Sequence, residues 1–164
     1  MSLPDSIGGY EVVGRLAVGG MAEIFLGRQR GPHGFVRPVV IKRILPHLSH
    51  ESAFVDMFLD EARIVAGIRH PNVVQIHEFG SESGELFLVM EYLEGENVGG
   101  ILRRLWSHDR AMDPALAIHI LAEACSGLHA AHELCDESGR PRQIVHRDVT
   151  PQNIFVTYDA AVKL

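Results

Sequence analysis

The sequence has few cysteines and no long hydrophobic stretch, and these absences exclude several classes of protein. Only Cys125 and Cys135 occur among its 164 residues, too few for the disulfide framework of a small secreted domain, so a reducing compartment is expected. No apolar run approaches the ~20 residues that span a bilayer. The first ten residues, MSLPDSIGGY, contain neither the basic nor the apolar region of a secretory signal. We therefore expect a soluble, cytoplasmic segment without membrane contact.

The sequence also has a deficit of positive charge. Lys and Arg number 15 and Asp and Glu number 21, which gives a formal net charge of −6 at pH 7. A protein that binds nucleic acid normally carries a basic surplus, so nucleic acid is not an expected partner. The P-loop pattern GxxxxGK is absent as well, which disfavours a P-loop nucleotidase. The composition, 46% hydrophobic and 22% charged, is globular, and the length suits one domain or one domain plus part of another.

The pattern of apolar residues in the first part of the chain is typical of strands. Short runs that contain Val, Ile and Phe, separated by glycine turns, predict five strands over residues 10–16, 23–28, 38–42, 73–78 and 86–92. Between the third and fourth of these, the periodicity of residues 51–68 predicts a helix, which ends before the stop signal His70-Pro71-Asn72.

Helices dominate after residue 94. One is predicted over residues 98–106, although it contains two glycines. A longer one begins at Asp113-Pro114, an N-cap followed by proline at the first helical position, and runs to about Leu134. Residues 135–143 are polar and predict a loop. The order of elements predicts an α+β fold with a five-stranded antiparallel part, residues 1–93, and a mainly helical part, residues 94–164.

A lysine and a glutamate are predicted to pair in the first part. Alternating strand side chains place Val40 and Lys42 on one apolar face, where an unpaired ammonium would be costly to desolvate. At about 100° per residue, Glu61 falls near the middle of the apolar face of the first helix, which consists of Phe54, Met57, Phe58, Val65 and Ile68. The alternative is a lysine that extends to water and a glutamate on the rim of its helix.

The segment IVHRDVTPQNIFV, residues 144–156, contains an acid and an amide five residues apart, just before a predicted strand. Phosphoryl transfer requires a carboxylate that orients the attacking hydroxyl and accepts its proton, and it requires an oxygen ligand for magnesium nearby. Asp148 and Asn153 fit these two roles.

Several segments together resemble the protein kinases of the eukaryotic (Hanks) type. The sequence HRDVTPQN, residues 146–153, resembles their catalytic loop. Val39-Val40-Ile41-Lys42 resembles their strand lysine motif, and Glu61 occupies the place of the helix C glutamate. Residues 16–24 resemble the glycine-rich loop, and residues 88–93 resemble the hinge between the two lobes. The resemblance extends from about Tyr10 to Leu164 and is greater to bacterial members of the family than to animal ones.

The resemblance implies an N-terminal portion of a serine/threonine kinase with a two-lobed fold, which uses ATP and Mg²⁺ to phosphorylate proteins. Lys42 would bind the α- and β-phosphates and Glu61 would hold Lys42. Asp148 would be the base, Asn153 a magnesium ligand, and Arg147 the ligand of a phosphorylated activation loop. The residues that it assigns to the nucleotide are Leu16, Ala17, Val18, Gly19, Gly20, Met21, Ala22, Ile24, Val40, Lys42, Met90, Glu91, Leu93 and Phe155.

The sequence departs from the family pattern in three places. Ala17 and Ala22 replace the first and third glycines of the loop, which predicts a stiffer turn. Thr150 stands where serine/threonine kinases usually have a lysine, so charge stabilisation in the transition state is weaker, although Pro151 still favours that class. Residues 162–164 resemble the strand before the DFG motif, so the second magnesium ligand is expected beyond Leu164 and this segment alone is expected to be inactive.

Two functions remain open at this point. The first is a catalytic kinase, and the second is a nucleotide-binding pseudokinase or truncated scaffold that regulates a partner. The first is favoured by the presence of Lys42, Glu61, Asp148 and Asn153, and the second by Thr150 and by the end of the segment before the DFG motif. Because later helices of a kinase would normally cover it, an exposed apolar face is expected, with self-association as its consequence. Its residues are Leu121, Leu128, Ile144 and Val145.

Overall fold

The computed structural model describes residues 3–136 and 138–164. These residues form two compact units that do not follow the chain order. The first unit contains the residues up to Ala66 together with Gln75–Tyr92, and the second contains Gly67–Val74 together with Leu93–Leu164. Among the described residues, no helix combines the length and the hydropathy that are needed to cross a bilayer.

The first unit is built on an antiparallel sheet of six strands in the order β1-β2-β3-β4-β6-β5. The strands are β1 (Ser6–Ile7), β2 (Tyr10–Val18), β3 (Ala22–Arg30), β4 (Val36–Ile44), β5 (Ile76–Glu82) and β6 (Glu85–Glu91). All five predicted strands are present. The expected count of five was wrong by one, because β1 is only two residues long and shows no periodicity. The strand predicted over residues 73–78 begins three residues later, because Val73 N–H and Val74 N–H donate to His70 and Leu164.

One helix, α1 (Ser52–Ala66), belongs to the first unit. Phe58 and Ala62 are its buried residues, and they join a cluster with Ala22, Ile44 and Leu88 from the sheet. Of the predicted apolar face, Phe58 and Ile68 are buried and Phe54 and Val65 are half-buried, whereas Met57 is 51% exposed. A second cluster, which contains Tyr10, Phe25 and Phe87, lies among the strands.

The second unit combines a small antiparallel sheet with two helices. Its strands are β7 (Gly95–Asn97), β8 (Phe155–Thr157) and β9 (Val162–Lys163), in that order across the sheet. Its helices are α2 (Val98–Trp106) and α3 (Pro114–His132), as predicted, with Asp113 capping α3 by accepting from the N–H groups of Ala115 and Leu116. Their core consists of Val98, Ile120, Ala124, Ile154 and Val162.

The buried side of α3 was predicted only in part. The spacing of apolar residues in the sequence predicts that one stripe of the helix is buried, namely Ala117, Leu121, Ala124, Leu128 and Ala131. The residues that are buried are Ile120, Ala124, Gly127 and Ala131. Leu121 is 57% exposed and Ile118 is 67% exposed. Nearly every position of this helix is apolar or small, so the sequence does not identify one face. Of the expected exposed apolar face, Leu121 and Val145 are exposed, whereas Leu128 and Ile144 are half-buried.

The segment Gly67–Val74 is tied to the second unit by a buried asparagine. Asn72 is 6% exposed, and its Nδ2 donates to Glu123 Oε2 and to the carbonyl of Val162, both at 2.8 Å. Its own carbonyl accepts from Leu164 N–H at 2.9 Å. A buried amide is stable only when it is paired, so these bonds fix the segment to α3 and β9.

Candidate active site

The ion pair that the sequence predicts is present in the first unit. Lys42 Nζ lies 2.5 Å from Oε1 and 2.7 Å from Oε2 of Glu61. The side chains are 19% and 39% exposed respectively, so Glu61 is at the edge of its helix face and not in the middle of it. Because the pair is partly removed from water, its attraction is screened less than that of a surface pair. The lysine ammonium is therefore held in place before any ligand arrives.

Packing on both sides positions this pair. Lys42 lies opposite Ile24 on β3 and Leu88 on β6, in the central part of the sheet. Phe58, one turn before Glu61 on α1, is fully buried, and its ring centroid is 5.9 Å from Lys42 Nζ. Positions three residues apart lie on the same side of a helix, so the burial of Phe58 brings Glu61 towards the sheet.

The glycine turn joins β2 to β3 next to this pair. Gly19 N–H donates to the carbonyl of Ala22 at 2.8 Å, and a Cβ at Gly20 would meet no atom within 4 Å. Neither glycine is among the residues with positive φ, and neither are Ala17 and Ala22. The two alanines therefore fit the turn without backbone strain. Ala22 is 4% exposed, and its methyl packs in the cluster beneath α1, a role that the sequence did not indicate.

The remaining predicted nucleotide residues fall in both units. In the first unit, Ile24 and Val40 are half-buried on neighbouring strands, and Met90 lies opposite Val40 on β6. Glu91 N–H donates to the carbonyl of Gln75 at 3.0 Å. Leu16, Ala17 and Val18, at the end of β2, are exposed, and Met21 is half-buried. Leu93 and Phe155 belong to the second unit.

The second unit contains the acid and amide of the predicted catalytic loop. Asn153 Nδ2 donates to the Asp148 carbonyl at 2.9 Å and to Asp148 Oδ2 at 2.8 Å, and Asn153 N–H donates to the carbonyl of Thr150. The loop thus closes on itself and orients the exposed Asp148 carboxylate. Arg147 has φ of 63°, a conformation that costs a non-glycine residue on the order of 1 kcal/mol or more and that often occurs at functional sites.

The start of α2 holds this loop. Val98 N–H donates to the carbonyl of Ile154, and Gly99 N–H donates to that of Pro151, both at 2.8 Å. A Cβ at Gly99 would lie 3.2 Å from Gln152 Nε2, so the helix approaches the loop closely because residue 99 is a glycine. Nothing in the neighbouring sequence indicates the role of this glycine, because its partner is more than 50 residues away.

Each unit by itself contains groups of a kind that bind a magnesium nucleotide. Since the NH₂ group of Asn153 is used by Asp148, the oxygen Oδ1 is the Asn153 atom suited to a hard cation, which prefers oxygen ligands. Asp148 Oδ1 is a second oxygen in the same exposed loop. In the first unit, Lys42 supplies a fixed positive charge of the kind that binds phosphate.

The sequence profile of the protein kinase domain matches residues 10–164. This chain belongs to the protein kinase family. Over 157 residues it is 46% identical to the tyrosine-protein kinase MasK of Myxococcus xanthus (strain DK1622), a match that covers 96% of this chain and 24% of MasK. Over 159 residues it is 34% identical to the serine/threonine-protein kinase PknB of Mycobacterium leprae (strain TN), covering 94% of this chain and 23% of PknB.

A solved structure supports the same assignment. The crystal structure of the Mycobacterium tuberculosis PknI kinase domain superimposes with a TM-score of 0.74 at 26% identity, and the match covers 99% of this chain and 62% of that one. The kinase fold expected from the sequence is thereby confirmed, and the chain corresponds to an N-terminal portion of the domain. It spans about a quarter of the length of the curated relatives named above.

Proposed function

We propose that the protein containing this segment transfers the γ-phosphate of ATP to serine or threonine hydroxyls of protein substrates. The observation that carries the proposal is the contact of Lys42 Nζ with both carboxylate oxygens of Glu61, at 2.5 and 2.7 Å. This pair must be in place for phosphoryl transfer in protein kinases. The membership of the chain in the kinase family and the presence of Asp148 and Asn153 in one loop support the same conclusion.

In this proposal the first unit binds the nucleotide. Lys42 contacts the phosphates, and Glu61 prevents it from turning away to water. Gly19 and Gly20 are exposed residues, and although Gly19 N–H donates to the Ala22 carbonyl, the absence of side chains there allows the backbone to approach a phosphate closely. The apolar side chains of Ile24 and Val40 are suited to contact with the adenine ring.

The loop of the second unit acts on the acceptor. Asp148 orients the hydroxyl and accepts its proton, and the bond from Asn153 keeps one carboxylate oxygen fixed while the other remains available. Asn153 would hold a magnesium ion through Oδ1. When bound, magnesium and ATP supply the transferable phosphoryl group and neutralise its developing charge. The other residues of the loop act by holding these groups in position. The N–H of Gly99 contributes to this by donating to the Pro151 carbonyl, which binds the loop to α2.

The catalytic loop carries the choice of acceptor in this proposal. Pro151 in the catalytic loop favours serine and threonine, which is also the class in the name of PknB. MasK, at 46% identity, is named as a tyrosine kinase. Phosphoamino-acid analysis of a general protein substrate after reaction with labelled ATP distinguishes the two. Phosphoserine and phosphothreonine are the expected products, and phosphotyrosine alone would contradict the proposed specificity.

A lysine substitution tests the transfer itself. In the full-length natural polypeptide, Lys42→Met should lower the rate of transfer by about a hundredfold or more, since it removes a fixed charge that stabilises the transition state. The matched control is Arg28→Met, which removes a cation from an exposed position of β3 and should leave the rate unchanged. Equal rates for Lys42→Met and the wild type would contradict the proposal.

A nucleotide-binding scaffold without transfer is the second candidate, favoured by Thr150 in place of a lysine. It predicts that the full-length protein binds Mg–ATP but transfers no phosphate, and that its effect on a regulatory partner or on self-association survives Asp148→Asn. In the kinase proposal, Asp148→Asn abolishes transfer. Measurement of binding and transfer with the same preparation separates these two functions.

A further inference from the structure

We infer that a row of four charged side chains, Arg15, Glu23, Arg43 and Glu85, positions the glycine turn for the nucleotide. The inference rests on the proposed function, because it assigns positioning residues to that same site. The four residues are called the charged row below. None of them belongs to the site described so far, and they come from four different strands of the first sheet, β2, β3, β4 and β6.

The contacts of the charged row are continuous across the sheet. Arg15 Nη1 lies 3.7 Å from Glu23 Oε1, Arg43 Nη2 lies 3.2 Å from Glu23 Oε2, and Arg43 Nη1 lies 3.2 Å from Glu85 Oε2. Arg43 therefore divides its guanidinium between two carboxylates on two strands. Its Cζ also lies 5.2 Å from the centroid of the Phe25 ring, within the range of a cation–π contact.

Burial distinguishes the charged row from an ordinary surface pair. Glu23 is 5% exposed, and a carboxylate this deep is stable only when it is paired. The Arg43 side chain is 17% exposed. Removal of one partner leaves the other buried charge uncompensated, and the penalty for that is much larger than the loss of a surface contact.

The position of the charged row connects it to the nucleotide residues. Glu23 is paired with Val18 in the register of β2 and β3 and directly follows Ala22, so it closes the glycine turn. Arg15 lies on the strand that enters the turn. Arg43 follows Lys42, and alternation along β4 puts it on the opposite face of the sheet from the pair with Glu61.

These contacts imply that the two faces of the sheet hold different parts of the nucleotide site. Glu61 fixes the lysine on one face, and the charged row fixes both strands of the turn on the other. A turn whose strands are loosely held occupies more conformations, of which only some can contact the phosphates, so apparent affinity falls. Because the turn contacts the phosphates before and during transfer, its loosening weakens binding in the ground state and the transition state alike. That kind of loss raises KM and leaves kcat unchanged.

The test compares two glutamate-to-glutamine variants in the full-length natural polypeptide. Glu23→Gln should raise the KM for ATP about tenfold, with kcat within about twofold of the wild type. The matched control is Glu11→Gln. Glu11 forms an ion pair with Arg30 across the same two strands, at 2.6 Å, but it is far along the strands from the turn and more exposed. The KM of Glu11→Gln should equal that of the wild type.

Three further measurements separate positioning from a general loss of stability. Arg43→Gln is measured alone and combined with Glu23→Gln. The double variant should have a KM no higher than that of the worse single variant, because both residues act through one network. Arg43→Lys, which keeps the charge but can reach only one carboxylate, should restore part of the affinity. Hydrogen exchange in Glu23→Gln should become faster for the amides of residues 17–22, while α1 and β6 exchange as in the wild type.

The possible results distinguish the inference from the proposed function. An unchanged KM in Glu23→Gln, with an active wild type, overturns the inference and leaves the kinase proposal intact. If the wild type binds Mg–ATP but transfers nothing, the kinase proposal fails. The charged row is then tested in the same variants by the dissociation constant of a fluorescent ATP analogue, taken as the ratio of each variant to the wild type. Absence of any ATP binding overturns both. If Glu23→Gln does not fold, Arg15→Gln gives the same readout, because the more exposed Arg15 can be removed with less cost.

Discussion

Replacement of Phe58 by alanine should destabilise the first unit and also impair the lysine–glutamate pair. Phe58 is fully buried, and truncation of a buried phenylalanine to alanine typically costs about 3–5 kcal/mol. Its ring also lies 5.9 Å from Lys42 Nζ, at the outer limit of a cation–π contact worth about 0.5–1 kcal/mol. A loss of about 4 kcal/mol in the free energy of unfolding is therefore expected for Phe58→Ala.

This loss would be concentrated at α1. Phe58 and Ala62 are the buried residues of that helix, and its partly buried Phe54 and Val55 pack beside them, so the variant removes the fully buried aromatic ring that holds the helix against the sheet. Glu61 would then be less firmly held beside Lys42, and the rate of phosphoryl transfer would fall even at temperatures where the protein remains folded. Since whole domains have stabilities of about 5–15 kcal/mol, the variant is expected to be marginal but foldable.

Urea denaturation and a transfer assay on the same preparations test this prediction. The matched control is Met57→Ala, one residue earlier on the same helix, where the side chain is 51% exposed. That variant should lose less than about 1 kcal/mol and keep its activity. Equal losses in the two variants would refute the reasoning, because the phase of α1 against the sheet would then be wrong.

Two other predictions concern packing and pH. Burial is the main cause, and the hydrogen bond that Tyr10 donates to Glu78 at 2.6 Å is the second cause, of a pKa of Tyr10 that is raised to about 12. The neutral Tyr10 therefore stabilises the folded state fully below pH 10, and this contribution is lost as pH rises to 12. The loss in the free energy of unfolding is roughly 2–3 kcal/mol in all. Tyr10→Phe should be about 1 kcal/mol less stable at pH 8 and should lack this part of the alkaline decline in urea titrations, and an undiminished decline would exclude Tyr10 as its source. Gly127→Ala would place a Cβ 2.7 Å from the Asn72 carbonyl oxygen and should lower stability by about 1–3 kcal/mol; an unchanged melting temperature would show that α3 can shift.

The parts of the site that could be predicted from the sequence depend on local periodicity. The alternation of β4 and the turn of α1 favour a pairing of Lys42 with Glu61, although Glu61 lies at the edge of its helix face, and the spacing within residues 146–153 indicates Asp148 and Asn153 as neighbours. The exposed and buried sides of α3 could not be predicted, because a helix that is apolar all round gives no preferred direction.

Other features depend on contacts between distant segments. Ala22 is packed beneath α1, and Gly99 lies against Gln152; neither alanine nor glycine indicates by itself what it will meet. Glu23 and Arg43 illustrate the same limit for charged residues. Each is an ordinary charged residue within a strand, and their importance comes from the register that sets them side by side.

The buried Asn72 has a consequence for the integrity of the chain. The segment Gly67–Val74 belongs to the second unit, although the first unit precedes and follows it, so the polypeptide passes from one unit to the other three times. No single peptide-bond cleavage can separate the units into two intact pieces. A cut after Tyr92 would leave Asn72 in the N-terminal piece, while Glu123 and Val162, its partners, would be in the other. Each unit thus consists of two segments of the chain, and the two segments of each are joined by a segment of the other.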